Sequence, residues 1–171
     1  MNIDKVNKKV RPGTHIPILV RIFDVTQGDI LELGSGYFST TVLRWLCEMS
    51  GRTLYSVESV RLYYEKALRD PVPFHKVIKS NQHFSDVGEV FERPWSMVLV
   101  DHFPDTRRYM EIERLANWAQ YLIIHDSNLS DAKNYGYEKI WHLFKYRYNY
   151  TKLNPHTTVV SNFHDLSFLK S

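Results

Sequence analysis

Polar side chains that could bind a ligand follow five apolar stretches of the sequence, each at the point where a predicted strand ends. In an open α/β sheet the carboxyl ends of parallel strands meet at one edge, and ligands bind in the crevice beyond it. Five such positions in order along the chain therefore predict one ligand-binding edge. Its members are Glu32 with Gly34, Glu58, Ser80 with Asn81, Asp101 with His102, and His125 with Asp126.

The most informative stretch spans residues 29–40, Asp-Ile-Leu-Glu-Leu-Gly-Ser-Gly-Tyr-Phe-Ser-Thr. A buried strand, a glycine-rich turn and a helix start follow one another here, as in a Rossmann-type nucleoside site. The dinucleotide fingerprint has a third glycine where this chain has Ser39, and the charge of Glu32 would repel a pyrophosphate. We therefore expect a cationic nucleoside, S-adenosylmethionine, rather than NAD. The residues predicted around its methionine end are Glu32, Gly34, Ser35 and Gly36.

Glu58 ends the second predicted strand, about 20 residues after the glycine turn, where a carboxylate can accept hydrogen bonds from ribose hydroxyls. The alternative is that Glu58 caps the helix predicted over 59–69, although caps prefer shorter side chains. Ser80 and Asn81 follow the third strand and could bond the adenine edge. They could equally be turn formers, which is the usual role of such residues after a strand.

Length and composition describe an ordinary globular protein, with 171 residues, 43% hydrophobic and 24% charged. We predict a flexible N-terminal segment over 1–13 and one domain over 14–171. The single Cys47 excludes an internal disulfide, and the net charge of +3 is too small to argue for nucleic acid. Neither a membrane-length apolar run nor the apolar core of a signal peptide is present, so a cytoplasmic location is expected.

Strands and helices alternate almost to the end, which is typical of a parallel sheet with helices on both faces. The fold class predicted is a three-layer Rossmann-like α/β sandwich, its seven-stranded sheet mostly parallel with an antiparallel edge hairpin. Thr14 is the expected cap of the first helix. The predicted strands are 30–33, 53–57, 74–79, 96–100, 121–124 and two within 146–163; the predicted helices are 15–25, 39–50, 59–69, 106–118 and 138–145.

Four segments, 29–40, 54–58, 98–104 and 121–128, together resemble the class I, Rossmann-fold S-adenosylmethionine-dependent methyltransferases. Within that class, Met-Val-Leu-Val-Asp-His-Phe at 97–103 is similar to a strand of catechol O-methyltransferase and its metal-dependent relatives. The resemblance implies methyl transfer from S-adenosylmethionine and Mg²⁺ as a second cofactor. By the same resemblance, Asp101 and Asp126 would be the metal-binding carboxylates, His102 would lie beside the adenine and Glu58 on the ribose.

The chain departs from that family in three places. The Asn expected directly after the second Asp is Ser127, with Asn128 one position later, and the expected lysine base is replaced by Pro104. Only about thirty residues precede the first strand, so the helices that build the acceptor pocket in the family are nearly absent. Because of these departures, a second possibility stays open, namely that the protein retains the fold and binds the cofactor or a partner but does not catalyse methyl transfer.

The predicted catalytic residues are Asp101, His125 and Asp126. His125 is the best candidate for a general base, because imidazole titrates near neutral pH and Asp126 could orient it. Asp101 and Asp126 end adjacent or nearly adjacent strands of the predicted sheet, and a carboxylate pair suits Mg²⁺. The alternatives are a capping role for Asp101, and for Asp126 the orientation of the methionine moiety or of His125. Positioning alone can supply much of the rate of methyl transfer.

Aromatic and polar residues alternate over 146–152, Tyr-Arg-Tyr-Asn-Tyr-Thr-Lys. Such a stretch could stack on nucleic acid, but a half-exposed edge strand has the same pattern and is favoured here. That edge could also form a homodimer. The function predicted is methyl transfer from S-adenosylmethionine to a small-molecule or sugar-like acceptor, at oxygen. The alternatives are a non-catalytic Rossmann-fold partner protein and an NAD-binding oxidoreductase.

Overall fold

A computed structural model describes residues 13–170, and one seven-stranded sheet runs through it in the order β3-β2-β1-β4-β5-β7-β6. The first five strands are mutually parallel, and β7 is antiparallel to both β5 and β6. The predicted mostly parallel sheet with an antiparallel edge pair is therefore confirmed. The strands are β1 Ile30–Leu33, β2 Leu54–Glu58, β3 His75–Lys79, β4 Met97–Val100, β5 Leu122–His125, β6 Tyr146–Tyr150 and β7 Thr157–Ser161.

The sheet is covered by helices on both faces, which gives three layers. Both faces of the central strands are mostly apolar, and successive residues of a strand point to opposite faces of the sheet. Ile30 packs with α1 and α2 on one face, whereas Leu31 packs on the other face with α4 and α5. The strands β1 and β4 are buried at every position, as expected for the centre of a parallel sheet. The helices are α1 Ile16–Asp24, α2 Ser39–Ser50, α3 Arg61–Ala67, α4 Arg108–Leu115 and α5 Leu129–Asn134.

The helix predicted over 138–145 is wrong. Two 3-10 turns, Tyr137–Lys139 and Trp141–Leu143, take its place after Gly136, whose φ is +74°. The side chain of Tyr137 is fully buried, and its hydroxyl donates to the carbonyl oxygen of His125 at 3.2 Å. Burying this ring against the strand ends bends the backbone away from a regular helix.

The structure also differs from the sequence prediction at the starts of two helices, α1 and α5. Thr14 does not cap α1: its hydroxyl donates to the carbonyl oxygen of Pro155 at 2.8 Å, far along the chain. The helix α5, Leu129–Asn134, is not among the predicted helices. At its N-cap, the side-chain amide of Asn128 donates to the carboxylate of Asp131 in the first turn at 2.9 Å.

The predicted division of the chain stays a prediction. Apart from Gly13, the segment 1–13 lies outside the described residues, as does Ser171 at the end of the predicted domain. Within residues 13–170, every helix is too short or too polar to cross a membrane.

Candidate active site

The carboxyl ends of β1, β2 and β4 line one cleft of about 290 Å³. The register pairs Leu33 of β1 with Val57 of β2 and Val100 of β4, so the residues that follow these positions meet above the sheet. Three of the predicted strand-end groups are brought together here: the glycine turn, Glu58 and Asp101. The cleft is lined by Gly34, Ser35, Gly36, Tyr37, Phe38, Glu58, Val60, Tyr63, Asp101 and Phe103.

Glu58 holds the glycine turn to the start of α3. One carboxylate oxygen accepts from the backbone N–H of Ser35 at 2.8 Å and from its hydroxyl at 3.1 Å, and the other accepts from the N–H of Val60 at 2.6 Å. Burial raises the pKa of Glu58, and these hydrogen bonds offset part of the rise. Glu58 also lines the cleft, so a ligand hydroxyl there could donate to this carboxylate.

Glu32 lies beneath the glycine turn and is fully buried. Its carboxylate accepts from the hydroxyl of Thr40 at 2.9 Å and from that of Ser56 at 2.6 Å, and the Thr40 hydroxyl accepts from the N–H of Gly36 at 2.8 Å. His75 extends this chain, with Nε2 at 2.8 Å from the Ser56 hydroxyl. Glu32 is thus joined to the glycine turn through Thr40, and its predicted place at the methionine end of the cofactor stays a prediction.

Replacing Glu32 with glutamine is expected to flatten the dependence of stability on pH. Burial, assisted by Glu58, raises the pKa of Glu32 from 4.5 to about 7. A raised carboxyl pKa stabilises the fold at low pH, and that contribution is lost as the pH rises through about 7. Each pKa unit corresponds to about 1.4 kcal/mol, so the wild type should lose on the order of 1–3 kcal/mol between pH 5 and pH 8 through this group.

Urea unfolding at pH 5 and pH 8 measures this difference directly. Glu113→Gln, which changes an exposed carboxylate on α4, is the matched control and should keep the pH dependence of the wild type. A Glu32→Gln variant with the same pH dependence as the wild type would show that Glu32 does not titrate in this range.

A buried arginine bridges the two aspartates predicted as catalytic. The guanidinium of Arg108 lies 2.9 Å from Asp101 Oδ1 and 3.2 Å from Asp126 Oδ2, and its Nε donates to the carbonyl oxygen of His102 at 2.9 Å. Burial lowers the pKa of Arg108, but Asp101 and the other neighbours outweigh it and raise the pKa above its ordinary value. The cation is therefore permanent. The Mg²⁺ site predicted at Asp101 and Asp126 stays a prediction, and Arg108 already supplies positive charge between these carboxylates.

Both ring nitrogens of His125 face other side chains. Nδ1 lies 3.1 Å from Asp101 Oδ1 and 3.4 Å from Asp126 Oδ1, and Nε2 lies 3.1 Å from the hydroxyl of Thr14. Burial lowers the pKa of His125, but Asp101 and Asp126 outweigh it, so the pKa rises above its ordinary value. His125 is thus held within the cluster by both ring nitrogens, and its role as a general base stays a prediction.

Three residues predicted near the adenine do not line the cleft. The ring of His102 is buried against Phe84 at 4.4 Å, and burial lowers the pKa of His102 to about 3. Ser80 is buried. Asn81 makes a turn, because its side-chain oxygen accepts from the N–H of His83 at 2.8 Å. The turn-forming alternative thus describes Asn81, and an adenine contact for the three residues stays an untested prediction.

Sequence reasoning missed Arg108 and His15. Arg108 begins α4, and His15 lies directly before α1 with its ring centroid 4.5 Å from that of His125. The only signal in the sequence is that each residue lies at the start of a helix, and many residues share that feature. Their approach to the strand ends depends on how the helices pack.

The fold established by this geometry is that of the class I, Rossmann-fold S-adenosylmethionine-dependent methyltransferases, and comparison with solved structures confirms it. A protein of Staphylococcus aureus assigned as a caffeoyl-CoA O-methyltransferase matches with a TM-score of 0.65 at 13% identity, over 92% of this chain and 87% of that one. The protein-family models and the curated proteins give no match.

Two further structures of the same fold contain the cofactor product S-adenosyl-homocysteine. TrmK of M. capricolum matches with a TM-score of 0.57 at 13% identity, over 86% of this chain and 69% of that one. The N-terminal domain of human METTL16 matches with a TM-score of 0.63 at 11% identity, over 92% of this chain and 74% of that one. Identities this low establish a shared fold alone.

Proposed function

We propose that this chain binds S-adenosylmethionine in the cleft between the glycine turn, Glu58 and Asp101, and transfers its methyl group to an oxygen of a small-molecule acceptor. The observation that carries the proposal is the Glu58 carboxylate, which is bonded to the glycine turn and lines the cleft. The fold and the S-adenosyl-homocysteine held by TrmK and by METTL16 support it.

Each group of residues in the cleft would have its own role in binding and methyl transfer. Backbone groups of Gly34 to Gly36 allow close approach of the ligand, and Glu58 accepts a hydrogen bond from a ribose hydroxyl. Bound S-adenosylmethionine supplies a methyl group that its sulfonium has already activated. Asp101 at the cleft wall can accept a hydrogen bond from the acceptor hydroxyl, and Arg108 holds that carboxylate in place. Positioning of this kind can contribute a large part of the rate without a strong base.

A small or sugar-like hydroxyl compound is the acceptor class that fits this wall, because a carboxylate recognises hydroxyl hydrogens. The match to a Staphylococcus aureus protein assigned as an O-methyltransferase agrees with transfer to oxygen. A cytoplasmic location and a homodimer through the edge strand β6 belong to the same proposal, in which nucleic acid is a less favoured acceptor than a small molecule.

Calorimetry of S-adenosylmethionine binding tests the cofactor site. We expect micromolar binding by the wild type and binding about tenfold to a hundredfold weaker in Glu58→Gln. The amide of glutamine would face the N–H donors of Ser35 and Val60, and loss of a hydrogen bond to a charged group costs about 1.5–3 kcal/mol. Glu65→Gln on α3, which removes an exposed carboxylate paired with Arg61, is the control and should bind like the wild type.

The outcomes separate the proposal from its rivals. A wild type that binds no S-adenosylmethionine overturns the proposal, and binding of NAD(H) in its place would indicate the oxidoreductase alternative. Binding of S-adenosylmethionine without methyl transfer to any of a panel of hydroxyl, amine and carbon acceptors would indicate a non-catalytic protein.

A further inference from the structure

His15 is a buried histidine whose ring nitrogens have no hydrogen-bond partner among residues 13–170. Only 3% of the surface of His15 is exposed, and both Nδ1 and Nε2 are enclosed. Its ring stands edge-on to that of His125, with centroids 4.5 Å apart and planes at 75°. Buried polar atoms are nearly always bonded, so an enclosed imidazole without a partner indicates a ligand that completes its surroundings.

The neighbouring hydrogen bonds determine which nitrogen of His125 carries a hydrogen. Thr14 donates its hydroxyl hydrogen to the carbonyl oxygen of Pro155 at 2.8 Å, so toward His125 the hydroxyl oxygen is an acceptor. Nε2 of His125 must therefore carry the hydrogen that this contact at 3.1 Å requires. Metal-binding histidines are oriented in the same way, with one nitrogen donating to a neighbour and the other left for the ion.

The other nitrogen of His125 faces a carboxylate. Nδ1 lies 3.1 Å from Asp101 Oδ1, yet the two atoms do not have the alignment of a hydrogen bond. A bare nitrogen lone pair and a carboxylate oxygen repel each other at this distance, and a cation bound by both atoms relieves that repulsion. Two atoms that bind one ion at about 2.0–2.2 Å lie about this far apart.

We propose that His15, Asp101 and His125 bind one divalent transition-metal ion of the Zn²⁺ type. One ligand atom from each residue lies within 4.8 Å of the others. Two imidazoles and one carboxylate are the donors that zinc and similar ions prefer, whereas Mg²⁺ prefers oxygen ligands throughout. The set differs from the predicted Mg²⁺ site, because it excludes Asp126 and recruits His15.

Charge at the site is compatible with a divalent ion. Two carboxylates, Asp101 and Asp126, lie against one permanent cation, Arg108, which leaves one negative charge before the ion binds. Asp101 also lines the cleft, so the ion would lie at its inner wall. The rival occupant is a proton on Nδ1 of His125, and it needs no contribution from His15.

Metal binding by the full chain tests this proposal without S-adenosylmethionine, so its failure is separate from failure of the proposed function. Chelator-treated protein is titrated with Zn²⁺ against a chromophoric chelator, and bound zinc is counted by elemental analysis. We expect one Zn²⁺ per chain, bound at least tenfold more weakly by His15→Gln and by Asp101→Asn. His142→Gln, at an exposed histidine outside the cluster, should bind like the wild type.

Thermal unfolding provides a second readout of zinc binding, which does not depend on the chromophoric chelator. Binding to the folded chain raises the melting temperature, so Zn²⁺ should raise it for the wild type and for His142→Gln but not for His15→Gln. Circular dichroism of the zinc-free variants establishes that they are folded. Absence of bound zinc in the wild type, or equal binding by wild type and His15→Gln, would overturn the proposal and leave the proton as the occupant.

Discussion

Replacing Gly34 with alanine is expected to lower the free energy of unfolding by about 3 kcal/mol or more. An added Cβ would lie 2.6 Å from the carbonyl oxygen of Asp101 and 2.6 Å from the Cα of His102. Both are backbone atoms that follow β4, the neighbour of β1, so neither can move without parting the strand ends. The φ of +92° adds strain, because side chains other than glycine rarely adopt it.

Gly51→Ala isolates the contribution of the backbone conformation. Gly51 ends α2 with a φ of +69°, and nothing lies within 4 Å of the Cβ that alanine would add. That variant should lose only about 1–2 kcal/mol, the cost of a left-handed residue. Urea unfolding followed by circular dichroism compares the two variants with the wild type. Equal losses would mean that the close approach of β1 and β4 contributes nothing, and that backbone strain accounts for the whole effect of Gly34→Ala.

The central strands could be predicted because their burial shows in the hydrophobicity of the strand residues themselves. A strand covered on both faces is mostly apolar, and the observed β1, Ile30–Leu33, in which Glu32 is the one polar residue, coincides with the predicted strand. The bounds of α2, Ser39–Ser50, also agree with the prediction, since Gly51 stops the helix in the left-handed conformation. In contrast, the segment around Tyr137 is shaped by the burial of one ring against the strand ends, which local periodicity does not reveal.

The candidate site divides in the same way. Glu58 and Asp101 could be expected at the cleft because topology alone brings strand ends together. Glu32 was expected at the cleft surface, but the sequence does not reveal that Thr40 comes between its carboxylate and Gly36. Arg108 belongs to the helix α4, which brings it to the carboxyl ends of β4 and β5. Such contacts between a helix and distant strand ends depend on the whole fold.

Replacing Arg108 with methionine is expected to cost about 3–5 kcal/mol of stability at pH 7. Methionine removes the positive charge but keeps most of the apolar volume, so the loss arises from the uncompensated carboxylates of Asp101 and Asp126. Lysine should recover only part of it, because a single ammonium cannot reproduce the hydrogen bonds to Asp126 and to the His102 carbonyl together with the ion pair to Asp101. Urea unfolding at pH 7 measures these losses, with Arg61→Met in an exposed ion pair as the control that should leave the midpoint unchanged.

A second-site change separates the charge from the packing of this arginine. If uncompensated charge causes the loss, adding Asp126→Asn to Arg108→Met should restore part of the stability, because one of the two excess negative charges is removed. In the wild type, Asp126→Asn alone should destabilise, since Arg108 then loses a partner at 3.2 Å. The same substitution thus has opposite signs in the two backgrounds, which is a coupling that a double-mutant cycle measures directly. If the stability losses of Arg108→Met and Asp126→Asn simply add in the double variant, Arg108 stabilises the strand ends through its packing and its hydrogen bond to the His102 carbonyl. Its charge then does not offset the repulsion between the two carboxylates.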